Sequence, residues 1–237
     1  MGETVGVVGL GIMGSAFARN LMSAGMEVVG YDIDEARLKM LAADGVAAAA
    51  SPLAVAEAAA VVITSLPSPA AFHSVMTGPG GIIECGRDGL VVIDTCTLSI
   101  EDKNAAFDAL AAKGITLLDC PVSGTGAQAA DGDLAVLASG DRQAYQAALP
   151  VLKGISRSQN FIGPFGDGSK MKYIANLLVA IHNVSAAEAM VLGLKSGLDP
   201  QLLYDVLTDS AGNSRMFEMR GPMMVANDYD SQVTATM

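Results

Sequence analysis

Positive charge is scarce in this sequence. Lys and Arg together number 14 against 25 Asp and Glu, a net charge of −11. A surface that acidic repels nucleic acid and anionic membranes, so neither is expected as a partner. An anionic ligand must instead be held by local backbone dipoles. Histidine is nearly absent. His73 and His182 have no second histidine or acid at ligand spacing, and no metal site is expected. The three cysteines, Cys85, Cys96 and Cys120, are an odd number without metal spacing. They predict small buried free thiols in a reducing compartment. No basic stretch precedes the first apolar residues, so no signal peptide is expected, and Gly6 stands where a myristoylation motif needs Ser or Thr. No apolar run is expected to reach the ~18–20 residues of a membrane span. These absences together predict a cytoplasmic protein.

What is present is apolar. Of the 237 residues 51% are hydrophobic and only 16% charged, enough for one large domain or two modest ones with an ample core. Val5, Val7 and Val8 form a short β-branched strand that runs into Gly9-Leu10-Gly11-Ile12-Met13-Gly14. A helix is expected over Ala16–Ala24, with Gly25 as its C-terminal cap. Strand, glycine turn and helix in that order are the context a dinucleotide site requires. Gly9 permits the tight turn, Gly11 admits a pyrophosphate to the backbone, and Gly14 lets helix and strand pack closely. The helix N-terminus supplies amide donors and positive dipole. The next strand, Glu27–Tyr31, ends at Asp32, where a carboxylate accepts from an adenosine ribose and repels a 2′-phosphate. The alternative is that Asp32 merely caps the following helix, which Asp34 does equally well. Asp32 favours NAD over NADP. No Arg follows it immediately, and Arg37 lies a turn into the helix.

The alternation continues. Strands near Val46–Ala49, Ala60–Ser65, Leu90–Asp94, Ile115–Asp119, Leu134–Ser139 and Gln159–Ile162 alternate with helices, which predicts an α/β fold with a parallel, doubly wound sheet. Ligands bind such sheets at the carboxyl ends of the strands, where Leu66-Pro67, Thr95–Thr97 and Cys120–Thr125 fall. Gly163-Pro164 marks the expected boundary between a domain of residues 1–163 and one of residues 164–237. The second opens with a long helix over Gly166–Gly197 that contains no proline. Ile174, Leu177, Leu178, Ile181 and Val184 have the spacing of one buried face. Lys172 and Asn176, at i and i+4, set their polar heads side by side, a pair that by itself reads as an ordinary solvated stripe.

GLGIMG at Gly9–Gly14, DCPVSG at Asp119–Gly124 and GDGSKMKYIAN at Gly166–Asn176 stand in order along essentially the whole chain. Together they resemble the β-hydroxyacid dehydrogenases, the group around 3-hydroxyisobutyrate and tartronate semialdehyde metabolism. The resemblance implies a Rossmann domain followed by an all-helical domain with the active site between them. It assigns proton transfer to Lys172 and substrate positioning to Asn176 and Ser123. It also sets Leu66, Pro67 and Thr97 along the dinucleotide. The family usually has Gly where Thr125 stands, which predicts an altered substrate pocket. Cys96-Thr97 replaces the family's serine-threonine pair. Family members also continue past the position of Met237, so the chain resembles a truncated member.

The chemistry fits the residues. Oxidising an alcohol requires removal of the hydroxyl proton as hydride leaves, and a lysine whose pKa burial lowers from ~10.4 performs that step. Asn176 holds the same oxygen or the substrate carboxylate. The resemblance sets Ser123 and the amides of the Gly124-Thr125 turn against the carboxylate, whereas the residues alone read Ser123 as a plain turn serine. The expected activity is an NAD-dependent oxidoreductase of a small 3-hydroxy acid or its semialdehyde, working as a homo-oligomer, dimer or tetramer. The alternatives are an NADPH-dependent small-aldehyde reductase and a dinucleotide-binding fragment without catalysis. Val179 occupies the position of the glutamate used by the family's decarboxylating branch, so decarboxylation is not expected.

Overall fold

Short β-branched runs and capped helices alternate through most of the chain. The computed structural model describes residues 4–229. Six strands, β1 (Thr4–Val8), β2 (Glu27–Tyr31), β3 (Ala47–Ala48), β4 (Val61–Thr64), β5 (Val91–Asp94) and β6 (Thr116–Asp119), lie parallel. Between them run α1 (Ile12–Ser23), α2 (Glu35–Ala43), α3 (Pro52–Ala58), α4 (Pro69–Thr77) and α5 (Ile100–Ala111). The caps explain where these helices begin. Asp34, Ser51, Ser68 and Ser99 each accept a bond from an amide of the first turn, and Pro52 and Pro69 occupy first-turn positions where a missing N–H costs nothing.

The remainder departs from a wholly parallel sheet. After β7 (Val122–Ser123) and α6 (Gly126–Ala130), β8 (Ala135–Ser139) runs antiparallel to both β6 and β7. Then α7 (Arg142–Ile155) leads to β9 (Ser158–Gly163), parallel to β8. The order is β3-β2-β1-β4-β5-β6-β8-β7, with β9 beside β8. Neither β7 nor α6 was expected. The expected start of α1 at Ala16 also moves to Ile12, because the helix opens inside the glycine turn.

Alternate residues of each strand feed two cores, one per face of the sheet. On one face Val5, Val7 and Ile63 meet Phe17 and Leu21 of α1 and Val151 and Leu152 of α7. On the other Val8, Val62 and Val92 meet Val55, Phe72, Met76 and Leu110 of α3, α4 and α5. Full burial of each such side chain contributes roughly 1.5–3 kcal/mol, so the sheet has ample driving force. This is a doubly wound α/β architecture.

The chain divides into two compact units, Met1–Lys172 and Tyr173–Met237. α8 (Asp167–Lys195) gives its first turn to the sheet unit. The helical unit contains the rest of α8, with α9 (Pro200–Thr208) and α10 (Arg215–Ala226). Its core is small: Ala186, Met190 and Phe217, with Leu203, Tyr204 and Leu207 against them. The face expected to be buried is not. Ile174, Leu177, Leu178, Ile181 and Val184 are each at least half exposed, because α9 and α10 pack on the side of Ala186 and Met190 instead. A second correction concerns apolar length. Asp167–Lys195 is long and apolar enough by length and composition to cross a membrane, since an 18-residue stretch within it reaches a mean hydropathy of 1.7.

Candidate functional site

The register of the parallel strands sets one row of residues along their carboxyl ends. Tyr31, Val8, Thr64, Asp94 and Asp119 are consecutive partners from β2 through β6. The ladder runs one residue further, with Gly9 N donating to Tyr31 O at 2.9 Å and Thr95 N to Thr64 O at 3.0 Å. Gly9, Asp32, Ser65, Thr95 and Cys120 therefore begin the loops on a single edge. β1 lies between β2 and β4, so the strand order reverses beside the glycine turn, the point at which open α/β sheets bind dinucleotides.

The turn is built for close approach. Gly9 has φ +88, and a Cβ there would collide with the Ser65 carbonyl. A Cβ on Gly14 would collide with the Gly9 carbonyl, so the first turn of α1 sits directly on the strand end. Gly11 is the N-cap of α1 and brings no side-chain cap, and no acid occupies the first turn. The amides and dipole at that end suit an anion. Ile12 is largely exposed and Met13 half-buried.

Asp32 is almost fully buried and holds the turn from the other side. Its Oδ2 accepts from Leu10 N at 2.6 Å and its Oδ1 from Asp34 N at 2.8 Å, while Asp34 caps α2. Asp32 thus ties β2 to the glycine turn and also lines a cavity of about 490 Å³ with Tyr31, Ile33, Glu35 and Ala48. Arg37, a turn away in sequence, reaches back: its Nη1 is 3.8 Å from Asp32 Oδ2 and its Nε is 3.3 Å from Asp34 Oδ2. That guanidinium was signalled by its place on α2, one turn after Asp34, yet its reach was not anticipated.

Along the same edge, Leu66 is half-buried and its N–H donates to Cys96 Sγ at 3.1 Å, while Pro67 and Thr97 are exposed. Ser123 is half-buried and Gly124 exposed, with φ +148. Thr125 caps α6 and shares a capping box with Gln128, whose Oε1 accepts from Thr125 N at 3.0 Å. The Thr125 amide is therefore committed within the chain, which corrects the expectation that it joins Gly124 in holding an anion. The signal for this was present as Thr-x-x-Gln ahead of a short helix.

Lys172 and Asn176 are half-buried, one turn apart on α8. Burial pushes the Lys172 ammonium below its usual pKa. Within the sheet unit, the turn before it is bound to the strand edge, since Ser169 N donates to Asp119 Oδ2 at 2.8 Å. Among the described residues, no group of three His, Cys, Asp or Glu side chains is arranged to hold a metal ion.

The model for the NAD binding domain of 6-phosphogluconate dehydrogenase matches residues 4–163, and that for the NAD-binding part of NADP-dependent 3-hydroxyisobutyrate dehydrogenase matches residues 166–237. The chain belongs to the β-hydroxyacid dehydrogenase family. Among known members, an L-threonate dehydrogenase of Cupriavidus necator is 39% identical over 97% of this chain and 77% of its own length. A 3-hydroxyisobutyrate dehydrogenase of Pseudomonas aeruginosa is 34% identical over 92% of this chain and 73% of its own length. The Mycobacterium tuberculosis 3-hydroxyisobutyrate dehydrogenase structure superposes with a TM-score of 0.89 at 33% identity, covering 98% of this chain and 81% of that one. This β-hydroxyacid dehydrogenase is thus an NAD(P)-dependent oxidoreductase that acts on a small molecule.

Proposed function

We propose that this chain transfers hydride between NAD and a small 3-hydroxy carboxylic acid or its semialdehyde, with Lys172 as general acid and base. The observation that carries the proposal is the half-buried Lys172, its charged form disfavoured by burial, one turn after a residue bonded to the strand edge. The glycine turn, the uncapped α1 and Asp32 fit a dinucleotide, and that cofactor when bound accepts or returns the hydride. Gly9, Gly11, Ile12, Met13 and Gly14 would hold its pyrophosphate, Asp32 its ribose, and Leu66, Pro67 and Thr97 would line its site. Neutral Lys172 takes the hydroxyl proton. In the reducing direction its ammonium returns that proton and polarises the carbonyl. Asn176 steadies the reacting oxygen. Ser123 and Gly124 face the carboxylate, and Thr125 shapes the turn through its cap.

Arg37 favours a second reading of the cofactor. A guanidinium 3.8 Å from Asp32 partly neutralises it and is placed to meet a 2′-phosphate, which supports an NADPH-dependent aldehyde reductase. The exposed apolar face of α8 supports a homodimer, since large apolar patches seldom stay uncovered. Turnover of this chain against a panel of 3-hydroxy acids and their semialdehydes, with each dinucleotide, tests the proposal. NAD-linked turnover of a 3-hydroxy acid is expected. Binding of NAD without turnover of any panel member would reduce the chain to a dinucleotide-binding module.

A further inference from the structure

One buried charge has no part in the chemistry above. Lys103, on α5, is fully buried, with its Nζ 2.6 Å from Asp119 Oδ1 and 2.9 Å from Asp94 Oδ2. Those acids end β5 and β6 and are register partners. Asp94 Oδ1 accepts from Thr64 Oγ1 at 2.8 Å, at the end of β4, and more weakly from Cys96 N. Asp94 Oδ2 has no hydrogen bond and depends on the ammonium alone. Asp119 is the receptor for α8: Ser169 donates to it through both N and Oγ, each at 2.8 Å. Ser139 Oγ accepts from Gly168 N at 2.9 Å and donates to Asp119 Oδ2 at 3.1 Å. A Cβ on Gly168 would strike the Leu137 carbonyl, so the helix end sits on the sheet with no room for adjustment. One ammonium therefore links the ends of β4, β5 and β6 to the start of α8.

We propose that Lys103 is a positioning residue: by bridging Asp94 and Asp119 it fixes the first turn of α8, and hence Lys172, at the strand edge that carries the glycine turn. The inference rests on the assignment of Lys172 to proton transfer. Two carboxylates sharing one small buried space repel each other unless a cation lies between them. Burial works against the Lys103 charge, but Asp94 and Asp119 outweigh it and hold the ammonium protonated well above the ordinary lysine range. Among the described residues, the Cys96 and Cys120 thiols also lie against this cluster. Burial, reinforced for Cys96 by Asp94 and for Cys120 by Asp119, pushes both up, so they stay neutral. With the lysine gone, the carboxylate pair must share a proton to keep its geometry, so a proton takes over the bridging role only at low pH.

The test compares this chain with its Lys103→Met and Lys103→Met/Asp94→Asn variants from about pH 6 to about pH 9, following Ser169 amide exchange, NAD affinity and turnover. Lys103→Met is expected to resemble the parent at the acid end. As the shared proton leaves with rising pH, Ser169 protection and kcat should each fall by about tenfold or more, with NAD affinity held within about twofold. The double variant, with one carboxylate made neutral, should recover both and lose the pH dependence. If Lys103→Met does not fold, the double variant carries the test alone, and an unprotected Ser169 in it overturns the proposal. Parent-like protection and kcat in Lys103→Met across the whole range also overturn it. So does a loss at every pH that Asp94→Asn does not restore, because the lysine stem would then act by packing. If the parent turns over no hydroxy acid, the functional reading fails separately, and Ser169 exchange still decides the role of Lys103.

Discussion

The two units of this chain use similar apolar side chains with opposite results. In the sheet unit, Val5, Val62, Ile63, Phe17 and Phe72 are wholly buried. In the helical unit, Leu177, Ile181 and Val184 keep half or more of their surface exposed. The difference lies in cover, not composition. Strands β1, β4, β5 and β6 feed helix-covered cores on both faces, whereas α9 and α10 between them enclose little more than Ala186, Met190 and Phe217. Apolar periodicity marks a face that needs a partner, and the partner need not belong to the same stretch of chain.

The largest expected effect sits where the units adjoin in sequence. Lys172→Ala should cost at least a hundredfold in turnover, about 2.7 kcal/mol of transition-state stabilisation, while leaving NAD affinity near the parent value. Lys172→Arg should not restore turnover, because a guanidinium stays protonated at any working pH. Near-normal turnover in Lys172→Ala would remove the catalytic role. In the sheet unit, Gly14→Ala drives a Cβ into the Gly9 carbonyl and should cost ~1–3 kcal/mol in urea unfolding together with most NAD binding. Asp32→Ala removes acceptors from Leu10 N and Asp34 N, a stability loss of ~1–3 kcal/mol, and should erase a preference for NAD of at least about tenfold. Equal affinity of the parent for NAD and NADP would show that Arg37 dominates the choice.

The helical unit should respond in the opposite sense. Ile181→Asp on the exposed face should leave unfolding within ~0.5 kcal/mol of the parent, yet convert a dimer to monomer by light scattering. A monodisperse parent monomer at micromolar concentration would break that half of the comparison. The smallest effect concerns His73 and Asp102, which join α4 to α5 at 2.7 Å. Hydrogen bonds from His73 and Ser99 hold the Asp102 carboxyl below its usual range. A carboxylate lowered in the folded state contributes stability above its unfolded pKa of ~3.9 and loses it as pH falls through the folded value. Asp102→Asn should therefore flatten the acid limb of the stability curve slightly and leave the neutral region alone. A parent and variant with superimposable acid limbs would remove this contribution.

Much of the sheet unit was legible because its signals are local. Valine runs, serine and aspartate caps, and a glycine turn each act over a few residues, and they fixed the βα alternation to within one or two positions at most elements. α6 was missed although Thr125 and Gln128 spell its cap, since five residues carry no periodicity. The commitments of Asp32 were not legible, because a carboxylate that ends a strand has the same sequence whether it serves a ligand or the Leu10 amide. Nor was Lys103 legible as a bridge. Its partners lie 9 and 16 residues away and meet it only through strand register.

The sulfur atoms carry a separate consequence. Cys96 and Cys120 are free and buried, and burial beside acidic neighbours pushes both thiols up, so almost no thiolate exists at neutral pH. Thiolate is the form that peroxides and alkylating reagents attack. Cys85 is only half-buried, on the short helical turn Ile82–Cys85 before β5. Iodoacetamide should therefore label Cys85 first and spare the sulfur that accepts the Leu66 amide. Peroxide oxidation of cysteine should likewise begin at Cys85 and leave the two strand-end thiols reduced.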